Sequence, residues 1–196
     1  MNTEIKTPQD KPTSYWYEIN PVLLEAEKKA MAKSFPKFTL GKLGDDRLYW
    51  IGELTPGIYE TKFKERMTYH VMAVYNNYHP RPMEGYSSVH IYPVFPDSDE
   101  LSEKVDVPLH FLHDSAGNSF FRMKITDGMN ARMSRAKEYN QVLVQTAASE
   151  LKRLEQWLLI YELVRIGELS HSDPFCALYE DHCVPITEAI TRKHEE

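Results

Sequence analysis

The residues of this chain that could do chemistry lie close together in the segment His110-Phe-Leu-His-Asp-Ser-Ala-Gly-Asn-Ser-Phe-Phe121. His110, His113 and Asp114 offer two imidazoles and a carboxylate, which is the ligand set of an open catalytic zinc site. Histidines that are structural or that line a pocket are the simpler interpretation. Because no further metal-binding motif accompanies the three residues, we predict neither a metal nor another cofactor.

Ser119 and Cys176 are the candidate nucleophiles. A serine hydroxyl needs an adjacent base, and His113 would have to fold back towards Ser119 to act as one. A serine that bonds to the backbone of its own loop is the simpler expectation. Cys176 lies between apolar residues, which is typical of a buried, inert thiol. Its spacing from Cys183 is too long for a disulfide within one helix, so we predict free thiols and a reducing compartment.

Length and composition favour one compact domain with frayed ends. A chain of 196 residues with 42% hydrophobic content can bury one core, and it is short for two domains. The 23 basic and 29 acidic residues give a net charge of −6, which argues against nucleic acid as a partner. The sequence has no apolar run of membrane-spanning length and no signal peptide, so we predict a cytoplasmic protein without a membrane partner.

The hydrophobic period divides the chain into helix, strands and helix. Asn20-Pro21 predicts the start of an amphipathic helix, and Phe35-Pro36 predicts its end. From Phe38 to about Pro93 the period is two, which predicts an antiparallel meander of short strands. Residues 95–108 are acidic and unpatterned, and they predict an exposed loop that shields the segment after it. A long helix follows from about Val144 to Gly167.

This order predicts an α+β fold in which residues 1–14 form a flexible leader and residues 170–196 form a C-terminal extension. The intervening domain, residues 15–169, resembles the ubiquitin-conjugating enzymes. In that family an N-terminal helix, a four-stranded antiparallel meander, an active-site flap and C-terminal helices follow one another. The flap of the family carries His-Pro-Asn, then Gly seven residues after the His and the catalytic Cys ten after it. Here His110, Gly117 and Phe120 lie at those offsets.

Other segments carry the same resemblance. Tyr75-Asn-Asn-Tyr-His-Pro-Arg-Pro82 resembles the Tyr-Pro-x-x-Pro-Pro turn between the third and fourth strands of the family. Tyr49-Trp-Ile-Gly52, with Tyr59, is similar to elements of the first hairpin. The helix segment that begins at Gln156-Trp157 is similar to the last helix of divergent bacterial members. The interval from His79 to His110 is about twice the usual one, which an insertion at 95–108 would explain.

The resemblance implies an active site that lacks the catalytic residues of the family. Conjugating enzymes carry their modifier on a Cys, because a thiolate is both a strong nucleophile and a good leaving group, and Phe120 is neither. The family's oxyanion-stabilising Asn corresponds to Leu112, which has no donor. We therefore expect no catalytic residue, and we expect Phe120 and Phe121 to anchor the flap or to fill the former site. If one of them is exposed, it forms an apolar patch for a partner. The vestigial active-site region comprises His110, Leu112, His113, Asp114, Gly117, Ser119, Phe120 and Phe121.

The function implied by the resemblance is binding. Inactive variants of the family hold a ubiquitin-like modifier, or an activating or conjugating enzyme, and so position the reaction. The similarity to bacterial members suggests a bacterial ubiquitin-like modification system, with antiphage defence as its expected context. Two alternatives stay open: a metal-dependent hydrolase that uses His110, His113 and Asp114, and a conjugating enzyme with a displaced nucleophile at Ser119 or Cys176.

Overall fold

The computed structural model describes residues 14–56, 67–81, 86–106, 109, 111–123, 135 and 144–168. The predicted leader, apart from residue 14, and the predicted C-terminal extension lie outside these residues. The described chain is α+β. In chain order its elements are α1 (Trp16–Ile19), α2 (Pro21–Ser34), β1 (Thr39–Lys42), β2 (Leu48–Leu54), β3 (Tyr69–Tyr75), β4 (Val89–Phe95), α3 (Ser98–Glu103), β5 (Phe111–His113), β6 (Ser119–Phe121) and α4 (Ala147–Arg165).

Helix α2 begins and ends where the sequence predicts. The side chain of Asn20 accepts a hydrogen bond from the backbone N–H of Leu23 at 3.1 Å. Pro21 occupies the first helical position, where a backbone N–H would have no partner within the helix, so its absence in proline costs no hydrogen bond. The helix ends at Ser34, ahead of Phe35-Pro36. Its buried face carries Met31 and, unusually, a glutamate, Glu27.

The predicted meander is confirmed. Strands β1, β2, β3 and β4 pair in that order, and each pair is antiparallel. Alternate side chains of β3 point to opposite faces of the sheet, which the burial pattern reflects. Tyr69, Val71, Ala73 and Tyr75 belong to the main core, which includes residues of α2 and α4. We call this side the inner face and the opposite side, which carries Met72 and Val74, the outer face.

Helix α4 closes the inner face. Thr146 caps its N-terminus by accepting a hydrogen bond from the backbone N–H of Ser149 at 3.0 Å. The helix ends at Arg165, and Gly167 then takes a left-handed conformation with φ of +78°. The stripe that packs on the sheet is fully or almost fully buried and consists of Ala147, Leu151, Leu154, Leu158 and Tyr161. Each leucine in it contributes roughly 2 kcal/mol of burial free energy.

Residues 95–108, predicted to form an exposed loop or insertion, contain a helix instead, although most of the described residues in the segment are exposed or partly exposed. Ser98–Glu103 is a helix, α3, which Asp97 and Glu100 start with a reciprocal capping box. Leu101 is fully buried, and its carbonyl accepts a hydrogen bond from the hydroxyl of Tyr161 at 2.9 Å. Helix α3 contains one buried residue, Leu101, so it has no hydrophobic period to detect, and its local cap and one tertiary contact define the helix instead.

Within the part of the chain that the structure describes, no helix combines the length and the apolar character needed to cross a bilayer.

Candidate functional site

The segment singled out by the sequence forms a β-hairpin, which we call the flap hairpin: β5, a tight turn and β6. Phe111 lies opposite Phe121, Leu112 opposite Phe120, and His113 opposite Ser119. The backbone N–H of Asp114 donates to the carbonyl of Asn118 and that of Gly117 donates to the carbonyl of Asp114, each at 3.0 Å. Gly117 has φ of +86°, a left-handed conformation that a glycine adopts without strain. His110 lies outside the described residues.

Asp114 holds the turn of the flap hairpin together. Its carboxylate accepts hydrogen bonds from the backbone N–H groups of Ala116 and Asn118, both at 2.9 Å, and from the side-chain amide of Asn118 at 3.0 Å. The hydroxyl of Tyr92 donates a further bond at 3.2 Å. Although burial acts to raise the pKa of Asp114, the hydrogen bonds from Asn118 and Ala116 hold it below its usual value. The carboxylate is therefore charged and already surrounded by donors from the protein.

Phe120 lies under the flap hairpin, on the outer face of the sheet. Its side chain is 6% exposed, and its ring stacks on the imidazole of His90 with a centroid distance of 4.1 Å and an angle of 9° between the planes. The ring of Tyr92 lies 5.6 Å away and is tilted. Leu112, its partner across the hairpin, packs against the same cluster. Phe120 therefore contributes to a small hydrophobic core on the outer face.

Phe121 lies on the opposite side of the flap hairpin from Phe120 and attaches the hairpin to the main core. It is 2% exposed, and its ring lies 5.4 Å from that of Phe111 and 5.0 Å from that of Trp157 on α4. Phe120 and Phe121 are thus both buried. The alternative in which one of them is exposed and forms an apolar patch is not what the structure shows.

His90 is held neutral beneath Phe120. Burial lowers its pKa to about 4, and the nearby positive charge of Arg47 acts in the same direction, while Asp114 opposes it. Its Nε2 atom lies 3.0 Å from the side-chain amide of Asn76. A neutral ring is the form that stacks favourably on a phenyl group in an apolar environment.

A cleft of about 490 Å³ opens beside the flap hairpin on the outer face. Its floor comes from β3 and β4, and its walls come from the β1–β2 turn, the N-terminus of α3 and the flap turn. The residues that line it are Leu43, Arg47, Met72, Val74, Tyr92, Pro93, Val94, Asp97, Ser98, Asp114, Asn118 and Ser119. The cleft therefore combines an apolar floor with charged walls.

Ser119, the candidate nucleophile that the structure describes, has no hydrogen-bonded base among the described residues. Ser119 lines the cleft and faces His113 across the hairpin, so the two residues are closer than their sequence spacing suggested. Within the described chain, however, no hydrogen bond joins the side chains of Ser119 and His113, and His113 is exposed. Cys176 and Cys183 lie outside the described residues. Among the residues that are described, no group of three histidine, cysteine or acidic side chains is arranged to hold a metal ion.

Sequence reasoning missed a buried polar network on the inner face. Glu27 on α2 is fully buried, and one of its oxygens accepts hydrogen bonds from the hydroxyl of Tyr75 at 2.7 Å and from the backbone N–H of Ala147 at 3.0 Å. Its other oxygen lies 3.3 Å from Nε2 of His79, whose Nδ1 atom is 2.9 Å from the hydroxyl of Ser88. The available signal was the position of Glu27, which interrupts the apolar stripe of α2.

A second buried carboxylate, Glu150, lies in the first turn of α4. Burial raises the pKa of Glu150 to about 7, although Arg153, whose Nη1 atom is 2.9 Å from one carboxylate oxygen, opposes that shift. Among the described residues, the other oxygen, Oε1, is buried without a hydrogen-bond partner, and the Ser87 hydroxyl nearby also acts to lower the pKa of Glu150. The sequence pattern does not distinguish Glu150, because this residue belongs to a run of charged residues that is typical of a solvated helix face.

Comparison with known proteins identifies no relative. No protein-family model, no curated protein and no solved structure matches the chain.

Proposed function

We propose that the chain is a non-catalytic, ubiquitin-conjugating-enzyme-like protein that binds a ubiquitin-like modifier, or an activating or conjugating enzyme, in a bacterial modification system. The order of the described elements is compatible with this proposal: helix α2, a four-stranded antiparallel meander, the flap hairpin, then helix α4. Because a fold alone does not define a function, the proposal depends on the residues of the flap hairpin.

The observation that carries the proposal is the burial of Phe120 against His90 and Tyr92. A residue that bears a thioester must be reachable by the activating enzyme and by the acceptor amine, and it must be a nucleophile. Phe120 meets neither requirement. Its neighbour across the hairpin, Leu112, packs in the same cluster and provides no donor for an oxyanion.

The metal-dependent hydrolase is less well supported. Its carboxylate ligand would be Asp114, whose two oxygens already accept hydrogen bonds from Ala116, Asn118 and Tyr92. Metal binding would have to displace these bonds and so disrupt the turn that presents His113.

The test is incubation of the purified protein with ATP, a cognate activating enzyme and a cognate ubiquitin-like protein. We expect no covalent adduct, and we expect saturable binding of one of the two proteins in a calorimetric titration. A hydroxide-sensitive adduct that disappears in Ser119→Ala would contradict the proposal and support a displaced nucleophile. So would a thiol-sensitive adduct that disappears in Cys176→Ala. Absence of both adduct and binding would also count against it.

A further inference from the structure

We propose that His90 and Asn76 form a protonation-dependent switch that links the flap hairpin to the turn after β3, residues 76–81, which we call the β3–β4 turn. His90 contacts the flap hairpin through the ring of Phe120, at a centroid distance of 4.1 Å. It contacts the β3–β4 turn through Asn76, whose side-chain nitrogen lies 3.0 Å from Nε2 of His90. Neither contact depends on the proposed modifier-binding function.

The contact with Asn76 defines which nitrogen of the His90 ring carries the hydrogen. An amide nitrogen can only donate, so Nε2 must accept, and the neutral ring carries its hydrogen on Nδ1. The same amide nitrogen donates to the hydroxyl of Tyr78 at 3.1 Å. Because Asn76 is only 7% exposed, its side chain depends on these partners within the protein.

A protonated His90 is incompatible with this arrangement. Both nitrogens of an imidazolium donate, so Nε2–H would face the N–H groups of Asn76 and neither donor would have an acceptor. The conflict disappears when the amide turns over, because its carbonyl oxygen then accepts from Nε2–H. That oxygen also faces the hydroxyl of Tyr78, which must then donate where it accepted before. Protonation of His90 therefore reverses the bond between Asn76 and Tyr78.

The groups around His90 favour the neutral ring while the flap hairpin covers it. Burial, to which the 6% exposed Phe120 contributes, is the largest effect and lowers the pKa of His90 to about 4. Arg47 from the β1–β2 turn acts in the same direction, and Asp114 from the flap turn opposes both. Strand β3 places an uncharged residue, Val74, beside His90.

Displacement of the flap hairpin therefore changes the β3–β4 turn. An uncovered His90 ring takes up its proton near the ordinary value of about pH 6.5, and the Asn76 amide then turns over. Tyr78 is 38% exposed, so the change in its hydrogen bond reaches the surface of the protein. A partner that displaces the hairpin would in this way alter a second surface at Tyr78.

The experiment is an NMR pH titration of the wild-type chain and of Phe120→Ala, which uncovers the ring. It follows the ring nitrogens of His90, the side-chain amide of Asn76 and the ring of Tyr78. We expect the three signals to share one midpoint, near pH 4 in the wild type and near about pH 6.5 in Phe120→Ala. In His90→Gln the Asn76 and Tyr78 signals should lose this midpoint. Signals of Asn76 and Tyr78 that do not follow His90, or that keep their midpoint in His90→Gln, would overturn the proposal.

Two matched variants test the direction of the bond at neutral pH, where no acid titration is needed to change the partner of His90. Asn76→Asp offers only acceptor oxygens, so it fixes the arrangement that needs Nε2–H. It should raise the pKa of His90 by at least about one unit more than Asn77→Asp does. Asn77 is the exposed neighbour of Asn76, and among the described residues no hydrogen bond joins it to His90. Equal shifts in the two variants would show an effect of charge alone and would refute the switch.

Discussion

The phenyl ring of Phe120 lies parallel to the imidazole of His90, with 4.1 Å between the ring centroids. This contact joins the flap hairpin to β4. It places an aromatic pair where the proposed relationship to conjugating enzymes would require an accessible thiol. The fold of the flap hairpin and the protonation of His90 are consequently coupled, and the coupling can be measured.

We predict that Phe120→Ala destabilises the protein by about 3 kcal/mol or more, because it opens a cavity in the outer cluster. The same substitution admits water to His90, so its pKa should rise from about 4 towards the ordinary value near 6.5. Urea unfolding measures the first effect and an NMR titration of the His90 ring measures the second. Phe95→Ala is the control, since Phe95 is 58% exposed and should change the stability only slightly. An unchanged His90 pKa in Phe120→Ala would show that the stack does not exclude water.

The low pKa of His90 predicts a loss of stability in acid. In the folded protein the ring takes up its proton only near pH 4, whereas in the unfolded chain it does so near pH 6.5. The unfolded state therefore binds more protons between these values, and the free energy of unfolding should fall as the pH falls from 6.5 to 4. In His90→Gln this part of the pH dependence should be missing. His70→Gln, which alters a partly exposed histidine at the other end of the sheet, should retain it. Identical pH profiles for His90→Gln and the wild type would contradict the assignment.

The raised pKa of Glu150 predicts the opposite trend: near neutrality the free energy of unfolding should fall as the pH rises. Its folded pKa, about 7, lies above the unfolded value near 4.5, so the folded state binds the additional proton in this range. The stability contributed by the protonated group is complete below pH 4.5 and is lost as the pH rises through 7, by up to about 3 kcal/mol. Glu150→Gln mimics the protonated form and should be more stable than the wild type at pH 8 but not at pH 4.5. Glu155→Gln, on the same helix, is the control at a partly exposed glutamate, and a pH-independent difference would refute the prediction.

Asp114→Ala should loosen the flap turn. The substitution removes the acceptor for two backbone N–H groups and for the Tyr92 hydroxyl, at a cost of about 1 to 2 kcal/mol. Amide hydrogen exchange should accelerate at Ala116 and Asn118 while exchange in α4 stays slow. Asp114→Asn retains one acceptor oxygen and should have an intermediate effect. Uniform acceleration across the whole chain would instead indicate global destabilisation.

The sequence predicted those elements that have many residues in one pattern. Helix α2, the strands of the meander and helix α4 each combine a clear period with a capping or turn residue, so local information was sufficient. Helix α3 was missed because its six residues include one buried side chain, Leu101, whose backbone carbonyl is bonded by the hydroxyl of Tyr161 much later in the chain.

The buried carboxylates of Glu27 and Glu150 could not be predicted either, because their burial also depends on contacts with distant parts of the chain. A glutamate on a helix is normally exposed, and the burial of Glu27 and Glu150 depends on partners that only the folded chain brings together. Similarly, the sequence could list Ser119 and His113 as possible partners, but their alignment across β5 and β6 follows from the length of the turn between them.

The hydrogen bond from the backbone of Ala147 to Glu27 joins positions that are 120 residues apart. During translation α2 leaves the ribosome long before α4, so Glu27 has no amide partner from α4 until the chain has been synthesised beyond residue 147. Burial of a carboxylate without its donors is costly, and α2 should therefore not dock stably on the nascent sheet before that point. The order of synthesis thus makes the native core one of the last parts of the described chain to become complete.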